Sequence, residues 1–109
     1  YSGDDGLTLE FMKEGASGVV SVASHLAGKQ IHDMIAAFNN NDITTANALD
    51  KILQPLFDVL FITSNPIPVK AALKLIGFNC GTTRPPLMAI TEEQNQQVES
   101  VLDAFLEKV

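Results

Sequence analysis

The spacing of apolar positions divides the 109-residue chain into segments of different period. Leu7 to Glu14 places apolar side chains at 7, 9, 11 and 12, which predicts a short helix. Gly15 suits the left-handed position that ends such a helix. "GVVSVAS" (18–24) is short, continuous and valine-rich, and predicts a strand buried on both faces, the pattern of parallel sheets covered by helices. From Gly28 the period lengthens. Ile31, Met34, Ile35 and Phe38 fall at i, i+3, i+4 and i+7, so a helix buries one face as far as about residue 39.

"NNND" breaks that helix, and Asp42 is placed to cap the next one by accepting a bond from an orphan N–H. The stripe Ile43, Ala46, Leu49, Ile52, Leu53, Leu56, Leu60 and Phe61 predicts one long inward face. Pro55 removes one backbone bond within it and predicts a bend, while the pattern stays in phase on either side. In "SNPIPVKAALKLIG" either Ser64 or Asn65 is expected to cap. Pro66 takes the first helical position, Val69, Ala72, Leu73 and Ile76 face inward, and Gly77 stops the helix. "NCGTTRPPLMAI" reads as extended and irregular because of its prolines. "TEEQ" (91–94) has the form of a capping box before a last helix that buries Val98, Val101, Leu102, Phe105 and Leu106.

Helices therefore dominate, with one credible strand. A lone strand cannot satisfy its own ladder, since even an isolated hairpin is marginal. The expectation is that its neighbours lie upstream of Tyr1, in a longer protein.

Composition narrows the class of function. Apolar residues make up 46% of the chain, enough for a core. The formal charge of −6, without a Lys/Arg cluster, argues against nucleic-acid and anionic-membrane partners, both of which need a positive surface. No apolar run approaches the roughly 20 residues of a membrane helix. One cysteine, Cys80, excludes an internal disulfide, and no leader is expected before the first motif; a soluble, cytoplasmic protein is the expectation.

Candidate chemistry is sparse. Asp4 and Asp5 could split their pKa values for acid–base work, or could cap the helix at Leu7 or simply be solvated. His25 and His32 have no third ligand at metal-site spacing, so no metal and no cofactor is expected. Cys80 has no nearby base to activate it. Lys13, Lys29, Lys51, Lys70, Lys74 and Lys108 all read as helical or solvent-facing. None sits in an apolar strand where burial would suit it to imine chemistry. No catalytic residue is assigned.

Three segments in order, "YSGDD", "GASGVVSVASHLAG" and "NPIPVKAALKLIGF" followed by "TRPPL", carry a resemblance that spans essentially the whole chain. It resembles the C-terminal portion of the dihydrodipicolinate synthase family, within the pyruvate-dependent aldolase and lyase superfamily. That family usually has Arg-Leu-Pro-Leu where this chain has Arg84-Pro85-Pro86-Leu87. The resemblance implies a mostly α chain: the last β/α units of a (β/α)8 TIM barrel plus a C-terminal helical domain. Residues 1–40 would end the barrel (tail of strand 7, helix 7, strand 8, helix 8), and 41–109 would form the helical domain. It implies condensation of pyruvate with L-aspartate 4-semialdehyde through a lysine Schiff base, on the route to diaminopimelate and lysine. The imine lysine and the proton-relay tyrosine and threonines belong to earlier strands, so these 109 residues alone are expected to be inactive. Val20 matches the position whose backbone lies beside bound pyruvate, and Gly3, Asp4 and Asp5 match the loop after strand 7, which makes them candidates to line the pocket, with capping still an alternative for Asp5. The family is typically a homotetramer, so a homo-oligomer is expected.

Two other readings stay open from the residues. The first is another pyruvate-dependent enzyme, such as N-acetylneuraminate lyase or a ketodeoxygluconate aldolase. The second is a non-catalytic helical oligomerisation module, against which the valine-rich segment argues.

Overall fold

A computed structural model describes residues 1–79, 81 and 90–108. Cys80, the Arg84–Leu87 motif and most of the proline-rich segment lie outside the described residues. Two compact units are present, residues 1–57 and 58–109.

In the first unit a 3-10 turn, Asp5–Leu7, leads directly into α1, Thr8–Lys13. Gly15, at φ 100°, ends it as expected. Its N–H donates to the Met12 carbonyl at 3.0 Å and that of Ala16 to Phe11 at 2.9 Å, the paired closure that a left-handed glycine permits. α2 runs Ser24–Asn39, but Ala27 (φ −132°, ψ 32°) interrupts it, leaving a first turn and then the regular helix expected from Gly28. Ile31 and Met34 are buried as the period requires, while Ile35 and Phe38 are half-buried. α3, Ile43–Val59, continues through Pro55 as one helix. The Asp42 carboxylate accepts from the Thr45 N–H at 3.2 Å, fulfilling the predicted cap. Ala46, Leu53 and Leu56 have no exposed surface.

The buried strand does not form. Among the described residues the only sheet pairing is a parallel bridge between Ser2 and Val19, in which Ser2 N–H donates to Gly18 and Val20 N–H to Ser2, both at 2.8 Å. Val19 and Val22 are half-buried and Val20 is 73% exposed. A continuous apolar run earns two-sided burial only between two strand neighbours and under helices. Here one two-residue neighbour is present, and one side of the segment stays open.

In the second unit, α4 (Ile67–Leu75) packs against α5 (Glu92–Lys108). Pro68, Val69 and Ala72 from α4 and Val98, Leu102 and Phe105 from α5 are buried. The start of α4 departs from expectation. Neither Ser64 nor Asn65 caps it; Pro66 is itself the boundary residue, after a cis Asn65–Pro66 bond, with no side-chain cap. Ile67 N–H is already taken by the Ser64 carbonyl at 2.9 Å, and Pro68 has no N–H, so little remains for a cap to satisfy. Gly77, at φ 98°, closes α4 with the same paired bonds as Gly15, from Gly77 to Lys74 at 3.1 Å and from Phe78 to Leu73 at 2.8 Å. The capping box is formed reciprocally: Gln94 N–H donates to Thr91 Oγ1 at 3.1 Å, and Thr91 N–H donates to Gln94 Oε1 at 3.2 Å. Four residues assigned to inward stripes are exposed instead: Ile43, Phe61, Ile76 and Leu106. They lie at or beyond helix ends, where the helical phase no longer dictates the direction of a side chain.

Candidate functional site

The first twenty-three residues bring together the two segments that the sequence singled out. Ser2 sits beside Val19 in the parallel bridge, so the chain emerging at Gly3 runs alongside the chain emerging at Val20. Two paired segments that both open into turns resemble, in miniature, the strand ends at which α/β enzymes assemble sites.

The loop after Ser2 is tied down by short-range polar contacts. Ser2 is buried, its Oγ donating to the Asp4 carbonyl at 2.8 Å and accepting from the Asp4 N–H at 3.1 Å. Exposed Asp4 accepts the Gly6 N–H at 3.0 Å and caps the 3-10 turn. From α3, Gln54 Nε2 donates to the Gly6 carbonyl at 3.1 Å and to Asp50 Oδ1 at 2.9 Å.

Asp5 does something the sequence did not reveal. It is 2% exposed, and its carboxylate faces the segment around Val20 rather than its own helix. Oδ1 accepts a hydrogen bond from Ser21 Oγ. Oδ2 accepts from the Val22 N–H at 3.1 Å and the Ala23 N–H at 2.9 Å. Ser21 Oγ in turn accepts from the Ser24 N–H at 2.9 Å, so the turn into α2 is organised by one hydroxyl and one carboxylate. Of the two readings of the Asp4–Asp5 pair, capping thus describes Asp4, while Asp5 ties the loop to the segment that follows Val20. Nothing in the spacing of these residues signals that tie, because the partners lie 16 to 18 positions away.

Gly3 is the bare element of the loop. It is exposed, its φ is not positive, and nothing among the described residues lies within 4 Å of where a Cβ would stand. The fold itself does not demand glycine there; close approach by another molecule would.

The other candidates lie elsewhere. His25 and His32 are both exposed on α2. The six lysines are all on helices: Lys70 is half-buried and the other five are exposed, with Lys29 paired to Asp33 at 2.8 Å. The Asp42 carboxyl is held below the usual range by its hydrogen bonds from Thr45. It belongs to the α3 cap rather than to this loop. No helix among the described residues is long and apolar enough to cross a membrane.

Comparison with known proteins gives a consistent set of relatives. A family model described as the Dihydrodipicolinate synthetase family matches residues 1–105. The chain is 54% identical over 102 residues to the 4-hydroxy-tetrahydrodipicolinate synthase of a Nostoc species, covering 94% of this chain and 35% of the relative. It is 51% identical over 105 residues to the enzyme of the same name from a Synechococcus species, covering 96% and 35%. Among solved structures, dihydrodipicolinate synthase from Cyanidioschyzon merolae with lysine bound superposes with a TM-score of 0.93 at 44% identity, over 96% of this chain and 36% of that one. The synthase from Aquifex aeolicus gives 0.92 at 38% identity, over 96% and 36%. The chain thus spans 35% of the length of these curated relatives, matching their C-terminal part.

Proposed function

We propose, because this chain belongs to the dihydrodipicolinate synthetase family, that it supplies part of the active-site wall of a 4-hydroxy-tetrahydrodipicolinate synthase. In that reading, residues 1–40 complete a (β/α)8 barrel and residues 41–109 form its helical extension. The whole enzyme condenses pyruvate with L-aspartate 4-semialdehyde. A lysine outside these 109 residues adds to the pyruvate ketone and loses water, giving an imine. Loss of a methyl proton yields the enamine, whose carbon attacks the aldehyde. The Val20 backbone lies beside the bound pyruvate, and Gly3 lets the loop approach the ligand closely.

The observation that carries the reading is the parallel bridge at Ser2 and Val19, which leaves Gly3 and Val20 exposed where the two paired segments end. The helical, largely exposed setting of all six lysines agrees with an imine lysine supplied from elsewhere.

Borohydride trapping tests it. The 109-residue chain incubated with pyruvate and borohydride should gain no mass. The full-length synthase carrying this segment should gain one reduced pyruvate per subunit. A stoichiometric adduct on the short chain, or none on the full-length enzyme, overturns the proposal.

A further inference from the structure

The geometry points to Asp5 as a positioning residue for the α-keto acid: its buried carboxylate, through Ser21 and the Val22 and Ala23 amides, fixes where the Val20 backbone stands. The argument rests on the reading of Val20 as a neighbour of bound pyruvate.

Val20 has little else to hold it. It is 73% exposed, and its described backbone tie is the 2.8 Å bond from its N–H to Ser2. Immediately after it, the chain must turn from extended geometry into α2. That turn is fastened by three donors converging on one carboxylate: Ser21 Oγ, Val22 N–H and Ala23 N–H. The Ser21 hydroxyl is used twice, donating to Asp5 and accepting from Ser24 N–H at 2.9 Å. Charge-assisted bonds to buried backbone amides are among the stronger and more directional contacts available to a fold. Asp5 itself is anchored, because it lies between the Asp4 cap and Thr8, whose Oγ1 donates to the Asp5 carbonyl at 2.9 Å.

The carboxylate therefore adds a second tie, beyond the Ser2 bridge, between the loop carrying Gly3 and the segment carrying Val20. All three donor bonds engage its two oxygens, which leaves it suited to holding geometry rather than to shuttling protons. Because an ångström-scale misplacement of a binding group weakens productive ground-state geometry, the effect should fall on pyruvate and spare the second substrate.

The test uses the full-length synthase carrying this segment, with Asp5→Asn, Ser21→Ala and Ser21→Thr. Asp5→Asn keeps the shape but turns one acceptor into a donor facing amide donors. Ser21→Ala removes one donor to Asp5 together with the acceptor of the Ser24 N–H, and Ser21→Thr keeps the hydroxyl. The expected result for the first two is a rise of about tenfold in the KM for pyruvate, with kcat and the KM for the aldehyde within about twofold. Amide exchange at Val22 and Ala23 should quicken in both, and Ser21→Thr should restore wild-type behaviour. If Asp5→Asn does not fold, Ser21→Ala decides. Unchanged pyruvate KM, or a fall in kcat with both KM values unchanged, overturns the inference, since a merely structural role lowers only the amount of competent enzyme. A wild-type enzyme that traps no pyruvate overturns the function reading and this pocket role together. Trapping by wild type with unaffected variants overturns this inference alone.

Discussion

A methyl group placed at Gly3 should behave unlike the same methyl at Gly15, and the contrast separates a glycine kept for the fold from one kept for a ligand. At Gly15 the backbone stands at φ 100°, where an L side chain crowds the following carbonyl at a cost of about 1–2 kcal/mol. Alanine also restricts the unfolded chain, which returns about 0.4–1 kcal/mol. The net loss for Gly15→Ala is therefore about 1 kcal/mol, or roughly 4–8 °C in midpoint for a domain of this size. At Gly3 the conformational penalty is absent and nothing described lies within 4 Å of the new Cβ. Gly3→Ala should leave the midpoint unchanged or raise it by a few degrees, about 0.4–1 kcal/mol. Thermal unfolding followed by far-UV circular dichroism at fixed chain concentration reads both. In the full-length synthase the order should reverse: Gly3→Ala should impair pyruvate trapping, while Gly15→Ala should trap normally at temperatures where it is folded. The reasoning fails if Gly3→Ala is as destabilising as Gly15→Ala, or if it destabilises nothing and traps pyruvate at the wild-type rate.

Three further outcomes follow from the helix ends. Thr91→Ala removes the Oγ1 that accepts the Gln94 N–H and should cost about 1 kcal/mol, seen as a lower denaturation midpoint with unchanged m-value. Asn65→Ala should leave the midpoint within about 0.5 kcal/mol of wild type, because α4 has no side-chain cap to lose. The folded pKa of Asp42 lies below its unfolded value of 3.8, so its cap stabilises above that pH and is lost as pH falls through the folded value. The midpoint advantage of wild type over Asp42→Ala should accordingly be level near neutrality and close in acid, as a pH series of melts would register.

The elements most legible in the sequence were those whose physics is local. Gly15, Gly77, Asp42 and the Thr91–Gln94 pair each act on donors or acceptors within a few residues, and each does what its spacing predicts. Position 65 misled because the cap preference of Asn presumes free N–H groups. Pro68 lacks one, and Ile67 has already spent its own on Ser64. Phe61 misled differently: its place in the apolar stripe assumed that α3 continued, but the helix ends at Val59 and the ring turns outward. The valine run was read correctly as sheet-like in composition, yet within these residues it forms only a bridge rather than a buried strand, since burial belongs to the neighbours of a segment and not to its residues. Asp5 was legible only as one of two adjacent carboxylates. Its partners are remote in sequence, and a serine followed by two backbone amides leaves no trace in a residue pattern.

Adjacent acidic residues here divide their labour because one loop must meet two demands. Asp4 satisfies a donor two residues away and could be replaced by any short acceptor without disturbing Val20. Asp5 reaches across to the next segment, and its burial makes the charge affordable only because all three donors are in place. Ser2 and Gln54 fix the loop from its other sides, through bonds to Asp4 and Gly6. What remains uncommitted along this stretch is the exposed backbone at Gly3 and the exposed face of Val20. On the proposed reading, a rigid frame around an exposed glycine and an exposed valine suits a small, charged ligand with few atoms, because such a ligand contributes little binding energy with which to order a mobile loop. On that reading, the polar clamp, rather than the valine-rich composition of the segment, is therefore the feature that would fit this part of the chain to binding.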